Sequence, residues 1–151
     1  MTHGPIADLL PHTGDMILLD SVLEAETDRI VCGLVVRPDG PFNDADGSLP
    51  AWCGVELMAQ AVAAWSGWTG KQEQRAVRLG FLLGTRHYRC NVDAFAPGSE
   101  LAVEAFRNAS TASTNSGKPF DTLGFPTNKI RGCLPSACCG RGENSSTFTP
   151  L

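Results

Sequence analysis

The sequence predicts an α+β domain in which an antiparallel sheet wraps around one central buried helix, and three observations lead to this fold class. An apolar run at residues 54–68 is too long for a strand and is rich in helix-forming residues. Short segments rich in Val, Ile and Leu lie before and after this run, separated by polar or Pro- and Gly-containing breaks. The chain has 151 residues, which suits a single hydrophobic core.

Two antiparallel strands are predicted ahead of the helix. Residues 15–23 and 29–37 are rich in aliphatic side chains, and a polar break at residues 24–28 separates them. A loop of Pro, Asp, Gly and Asn then covers residues 38–48 and leads to the helix.

The apolar run itself is predicted to be a helix that ends near Gly67 and Gly70, because glycine commonly follows the last helical turn. Apolar side chains cover every face of this helix, so we expect protein to enclose it on nearly all sides. These side chains are Val55, Leu57, Met58, Ala59, Val62 and Trp65.

Three further strands are predicted after the helix, at residues 77–83, 86–92 and 100–106. Pro97 and Gly98 mark a turn between the last two of them. With the first two strands, they supply the sheet that wraps the helix.

The composition of the chain changes near Arg107. Of the 45 residues from 107 to 151, 25 are Ser, Thr, Asn, Gly or Pro, and neither a strand period nor a helix period is visible. The net charge is −7 over residues 1–106 and +3 over residues 107–151. The sequence therefore predicts a domain at 1–106, a mostly irregular tail at 107–151 and a sheet that lacks its C-terminal strands.

The charge balance excludes some classes of partner. The chain carries 16 acidic and 12 basic residues, so it has no basic field that would attract nucleic acid or an anionic membrane. No stretch approaches the roughly 18 apolar residues that cross a bilayer, and the layout of a signal peptide is absent. We therefore expect a cytoplasmic protein that binds a small neutral or carrier-borne substrate.

The six cysteines predict neither a disulfide framework nor a metal site. Cys32, Cys53 and Cys90 lie within apolar runs, where a reduced thiol behaves as a small hydrophobic side chain. The other three fall at residues 133–139, without a nearby histidine. We expect no metal and no cofactor.

Glu56 is the only charged residue in the apolar run, and it falls in the first turn of the predicted helix. The helix dipole favours its anion whereas desolvation favours the neutral acid, and a carboxyl held between these tendencies suits proton transfer. The same position is equally typical of an acid that only stabilises the helix end. Gln60, one turn later, is a candidate hydrogen-bond partner.

His12 lies in a turn punctuated by Pro11 and Gly14, ahead of the first strands. Histidine is the natural general base near neutral pH, although a turn histidine is more often only solvated or hydrogen-bonded. His3 and His87 are weaker candidates, because a frayed terminus and strand packing explain them adequately.

Two segments carry a resemblance to a known family. Residues 10–12, Leu-Pro-His, are followed by Met-Ile-Leu-Leu-Asp at residues 16–20, and residues 49–60 read Leu-Pro-Ala-Trp-Cys-Gly-Val-Glu-Leu-Met-Ala-Gln. In this order they resemble motifs of the FabZ-type 3-hydroxyacyl-acyl-carrier-protein dehydratases, and most closely of their ApeP-like relatives. Residues 78–84 and 97–101 extend the resemblance over most of the chain ahead of the tail.

The resemblance implies a hot-dog fold and a dimer in which the histidine of one subunit faces the acid of the other. It places His12 at the catalytic histidine and Glu56 at the catalytic acid. His12 would take the C2 proton of a 3-hydroxyacyl thioester while Glu56 donates to the departing C3 hydroxyl, giving a trans-2-enoyl thioester. Amides at the helix start, from Ala51, Trp52 and Gly54, would polarise the thioester carbonyl; Ala51 replaces a glycine of the family, but its amide is expected to remain available.

The implied partners are an acyl carrier protein with a phosphopantetheine-linked substrate, and either a second copy of the chain or a related dehydratase. The implied pathway is fatty acid or aryl polyene biosynthesis. Two alternatives stay open: a hot-dog thioesterase in which Glu56 activates water, and a catalytically silent subunit that pairs with another dehydratase. His12 argues against the thioesterase.

The tail departs from the family, whose members continue after residue 106 with two long strands inside the sheet. An abrupt change of composition, charge sign and periodicity is what a reading-frame shift would produce, and we adopt this origin as a hypothesis. Without those strands the sheet would have unpaired backbone groups, so the chain is expected to fold poorly or to be inactive.

Overall fold

One long helix packs against a six-stranded antiparallel sheet in the computed structural model, which describes residues 5–74, 85–106, 128–133 and 144–150. The strands are β1 (Ser21–Ala25), β2 (Arg29–Val35), β3 (Leu49–Pro50), β4 (Thr85–Cys90), β5 (Ala94–Phe95), β6 (Glu100–Phe106), β7 (Asn128–Cys133) and β8 (Asn144–Pro150). The large sheet has the order β1-β2-β6-β7-β8-β4, and β3 pairs with β5 in a separate ribbon. The predicted α+β architecture is confirmed.

The helix, α1 (Gly54–Gln72), begins where the sequence predicts but continues beyond the predicted end. Gly67 and Gly70, predicted as stop signals, lie inside it and are buried. A Cβ atom at Gly67 would overlap the backbone carbonyl of Leu9, so this glycine permits close packing of the N-terminal segment instead of ending the helix. No residue from Gly54 to Gly70 is exposed, which confirms the predicted enclosure.

Residues 15–23 do not form one strand as predicted. A 3₁₀ turn at Gly14–Met16 occupies the start of this segment, and β1 begins later. The carbonyl of Met16 and the amide of Leu18 bond to the side chain of Gln60 on α1. These backbone groups are therefore not available to a neighbouring strand, which is the physical reason for the shorter β1.

The paired strands β2 and β6 carry much of the core. β6 coincides with its predicted strand, β2 covers most of its own, and their ladder is unbroken over both strands. The predicted turn before β6 is present, with Gly98 at a φ of 79°, a conformation that suits glycine. β4 matches the next prediction approximately, and the strand predicted at residues 77–83 falls outside the described residues.

The prediction that the C-terminal strands are missing is wrong. β7 and β8 lie inside the sheet, where β7 pairs with β6 and β8 joins β7 to β4. Backbone groups form these ladders whatever the side chains, so a strand can form without an alternating apolar pattern. Ile130 of β7 is fully buried. Residues 107–127 and 134–143 lie outside the described residues, and the domain boundary and the reading-frame hypothesis stay predictions.

The core lies between α1 and the large sheet. Its fully buried side chains include Ile30, Cys32, Leu57, Met58, Val103 and Ile130. Burial raises the pKa of Cys32 to about 12, so this thiol stays neutral near pH 7. Cys32 and Cys53 are buried and reduced as predicted, whereas Cys90 is half-buried. In the described part of the chain, no helix has the length and apolar character to cross a membrane.

Candidate active site

The N-terminal turn and the start of α1 bring together the two residues predicted to act on protons. Nε2 of His12 lies 3.5 Å from Oε1 of Glu56, and both side chains are partly exposed, at 29% and 39%. Both residues belong to the same chain. The resemblance implied a histidine and an acid from different subunits; here one chain forms a pair of its own, and the arrangement across subunits stays a prediction.

Gln60 holds this arrangement together from inside the protein. Its side chain is fully buried; its Oε1 accepts from the Leu18 amide at 3.0 Å, and its Nε2 donates to the Met16 carbonyl at 2.8 Å. The same Nε2 donates to Oε1 of Glu56 at 2.9 Å. The predicted partnership between Gln60 and Glu56 is therefore present, and the same side chain also fixes the turn that follows His12.

The contacts of Gln60 make the two oxygens of Glu56 unequal. A backbone N–H can only donate and a carbonyl can only accept, so Leu18 and Met16 together determine which end of the Gln60 amide faces Glu56. The amide nitrogen faces Oε1, which is also the oxygen nearest His12. When Glu56 is protonated, its proton therefore belongs on Oε2.

The two ring nitrogens of His12 also differ. Nδ1 is buried and has no hydrogen-bond partner in the described part of the chain, whereas Nε2 faces Glu56. A neutral imidazole has one nitrogen that donates and one that accepts. Because Nδ1 is enclosed, Nε2 is the nitrogen that can exchange a proton with a ligand beside Glu56.

The start of α1 is held by bonds that the sequence did not predict. The 3₁₀ turn at Ala51–Cys53 precedes α1, and the Ala51 amide donates to the carbonyl of Asp93 at 2.9 Å. The Gly54 amide bonds to the carbonyls of Ala51 and Trp52. The predicted availability of the Ala51 and Gly54 amides to a ligand is therefore corrected. The amide of Trp52 remains, because no carbonyl of the same turn lies three residues before it, whereas the Cys53 amide follows the Pro50 carbonyl by the three residues of a 3₁₀ hydrogen bond.

Tyr88 is a residue of this region that the sequence did not single out. From β4, its hydroxyl donates to the carbonyl of Ala51. A Cβ atom at Gly54 would overlap that hydroxyl, so the glycine makes room for it. The contact joins residues far apart in the chain, and the sequence contains no local signal for it. Tyr88 could have been noticed only as the single tyrosine of the chain.

The remaining groups near the site limit its chemistry. Trp52 is 61% exposed and meets Phe42 edge to face, with ring centroids 6.1 Å apart. Burial, helped by the charges of Asp44 and Glu56, raises the pKa of the Cys53 thiol to about 11, so it is a poor nucleophile near neutral pH. Among the described residues, no group of three His, Cys, Asp or Glu side chains could hold a metal ion.

Comparison with solved structures gives one strong match. A chain of the dehydratase heterocomplex ApeI:P from Xenorhabdus doucetiae is 32% identical, with 97% of this chain and 91% of that chain covered and a TM-score of 0.67. The PaaI protein of E. coli, from the phenylacetic acid degradation operon, is 10% identical, with 85% and 78% covered and a TM-score of 0.47. Among curated proteins, none matches the chain.

The fold and the family follow from the match to the ApeI:P chain, from a family model and from the architecture. One helix against an antiparallel sheet, in a chain that superimposes on a dehydratase of this architecture, is the hot-dog fold that the resemblance implied. The family model described as ApeP dehydratase matches residues 4–118, more than half of the sequence. The chain therefore belongs to the ApeP-like dehydratase family.

Proposed function

We propose that the chain removes water from a 3-hydroxyacyl thioester carried by an acyl carrier protein and forms the trans-2-enoyl thioester. Family membership supports a dehydratase role. The observation that carries the finer proposal is the 3.5 Å approach of His12 Nε2 to Glu56 Oε1. A base and an acid within reach of one ligand are what an elimination of water requires.

The proposed reaction moves two protons. Nε2 of His12 takes the C2 proton, and the electron pair of that C–H bond becomes the C2–C3 double bond. The C3–O bond breaks with its electrons on oxygen, and Oε2 of Glu56 supplies the proton that completes the leaving water. His12 ends as the imidazolium and Glu56 as the carboxylate. Because the two groups are neighbours, one proton transfer, direct or through a water, restores the starting state.

Abstraction of a C2 proton also needs a polarised thioester carbonyl. The amide of Trp52 lies in the turn at the start of α1, where the first N–H groups point out of the helix end and the dipole favours negative charge. A preorganised donor of this kind stabilises the charge that develops on the carbonyl oxygen. Of the three predicted donors, Trp52 therefore keeps this role in the proposed mechanism, and Ala51 and Gly54 do not.

A second dehydratase chain is the proposed partner. The solved relative belongs to the dehydratase heterocomplex ApeI:P. We propose that this chain pairs with a chain of similar chemistry, or with a second copy of itself, and acts on a phosphopantetheine-linked substrate in fatty acid or aryl polyene biosynthesis. The heterocomplex also favours a second candidate function: a silent subunit whose partner carries the reaction.

Mutant enzymes test the proposal. The chain, alone and with a partner dehydratase, is assayed on a 3-hydroxyacyl carrier-protein thioester for enoyl formation and for free thiol. We expect enoyl product, and its loss in both His12→Ala and Glu56→Gln. Glu26→Gln is the matched control, since Glu26 is an exposed acid beyond β1.

The possible outcomes separate the candidate functions. Enoyl formation that survives both site variants in the mixed complex would indicate the silent subunit. Thiol release without enoyl product would indicate hydrolysis. Either result would overturn the proposal.

A further inference from the structure

We propose that Tyr88 is a positioning residue of the active site: its hydroxyl fixes the peptide plane whose other end is the amide of Trp52, a proposed donor to the thioester carbonyl. This inference rests on the function proposed above. Tyr88 would act on the polarisation of the thioester carbonyl, whereas His12 and Glu56 would transfer the protons.

The contacts hold Ala51 from two sides. Its carbonyl accepts a hydrogen bond from the hydroxyl of Tyr88 on β4, and its amide donates to the carbonyl of Asp93 at 2.9 Å. Tyr88 and Asp93 lie close together in the chain, Tyr88 in β4 and Asp93 in the loop between β4 and β5. One short stretch of chain thus holds both the amide and the carbonyl of Ala51. Ala51 lies just ahead of the helix that carries Glu56.

The covalent geometry of the peptide transmits this contact to Trp52. The carbonyl of Ala51 and the N–H of Trp52 belong to one planar trans peptide unit, so the two groups point in opposite directions. A hydroxyl that holds the carbonyl therefore aims the N–H away from Tyr88. The hydrogen bond to the carbonyl also polarises the unit, which makes its N–H a stronger donor.

Gly54 gives independent support for a preserved contact. A Cβ atom at this position would overlap the Tyr88 hydroxyl and would lie 3.1 Å from Cδ1 of Ile130. Alanine would otherwise suit the first turn of a helix better, because glycine is the less favourable residue there. Gly54, which lowers helix stability relative to alanine, thus lies at a position where a side chain would exclude the Tyr88 hydroxyl.

The first experiment removes the hydroxyl alone. We expect Tyr88→Phe, assayed with the partner dehydratase, to lower kcat for enoyl formation about tenfold while KM changes little, since removing a direct donor costs about 10²- to 10³-fold. Trp65→Phe is the control, because it also removes a side-chain donor to a backbone carbonyl, that of Glu26, but from a position on α1 far from the site. An unchanged kcat in Tyr88→Phe would overturn the inference.

A spectroscopic measurement separates positioning from general loss of structure. A trans-2-enoyl pantetheine thioester labelled with ¹³C at its carbonyl is bound to Glu56→Gln, which cannot turn it over, and to the same protein with Tyr88→Phe. We expect the carbonyl stretch to lie at lower frequency in the complex that keeps Tyr88, because the Trp52 amide is the stronger donor there. Equal frequencies would contradict the inference. Because the frequency does not depend on turnover, it can support the role of Tyr88 even if proton transfer is assigned wrongly.

Gly54→Ala completes the design as a double-mutant cycle. Alone, it should displace the hydroxyl and lower kcat about as much as Tyr88→Phe. In the Tyr88→Phe background it should cost little more, because the two changes break the same contact. Losses that multiply in the double variant would show that the glycine and the hydroxyl act separately and would count against the proposal.

Discussion

Nε2 of Gln60 donates to Oε1 of Glu56 at 2.9 Å, and the same nitrogen donates to the carbonyl of Met16 at 2.8 Å. A single buried amide therefore connects the acid on α1 to the turn that follows His12. This relationship explains how two residues 44 positions apart in the sequence can be held 3.5 Å apart.

The first prediction concerns Gln60 itself. Gln60→Leu removes three hydrogen bonds and leaves the part-buried Met16 carbonyl and the buried Leu18 amide without their partner. We expect the free energy of unfolding to fall by about 2–4 kcal/mol and kcat to fall with it. Urea unfolding and the enoyl assay measure the two effects. Ser66→Ala, half-buried on the same helix, should change the free energy of unfolding by less than about 0.5 kcal/mol.

The second prediction is that His12 and Glu56 act as a unit. Each of His12→Ala and Glu56→Gln should lower kcat by about 10²- to 10⁴-fold. The double variant should be no worse than about the poorer single variant, because a proton relay fails when either member is lost. Steady-state kinetics of all four proteins tests this. Multiplied losses in the double variant would show that the two residues contribute independently.

The third prediction concerns the contact between Gly67 and the N-terminal segment. Gly67→Ala should gain up to about 1 kcal/mol of helix propensity, yet its methyl group would overlap the carbonyl of Leu9. We expect a net loss of about 1–3 kcal/mol in the free energy of unfolding. A lower kcat should accompany it, because His12 follows Leu9 closely. A more stable variant with full activity would contradict this close approach.

The fourth prediction uses the raised pKa values of the buried thiols, about 12 for Cys32 and about 11 for Cys53. In the unfolded chain a thiol ionises near about pH 8.5, so above this pH the unfolded state releases protons that the folded state retains. The contribution of each thiol to stability is complete below that pH and is lost as pH rises towards the folded pKa. As pH rises from about 8 to about 10, the free energy of unfolding should therefore fall less in Cys53→Ala than in the parent protein.

Chemical labelling checks the same thiols without unfolding the protein. At about pH 8, iodoacetamide should modify Cys32 and Cys53 slowly in the native protein and rapidly in urea, because only the thiolate reacts. Mass spectrometry of the separate peptides reports each cysteine. Rapid labelling of either one in the native state would contradict its burial.

The local pattern of the chain was enough to predict several elements. The apolar run with its helix-forming residues predicted α1, and the aliphatic segments beside the polar break and the Pro97–Gly98 turn predicted β2 and β6. Composition and length distinguish a helix from a strand, and that information is present in each segment alone. The identity of Glu56 as the only acid of the helix was likewise visible in the sequence.

Only the tertiary structure decided the rest. It placed β7 and β8 inside the sheet and brought His12 close to Glu56 within one chain. It also showed that the Ala51 amide donates to the Asp93 carbonyl and that the Tyr88 hydroxyl donates to the Ala51 carbonyl. Each of these results depends on a backbone group or a close approach between distant segments. A backbone N–H or C=O has the same chemistry in every residue, so the sequence cannot mark its partner, and packing alone selects it.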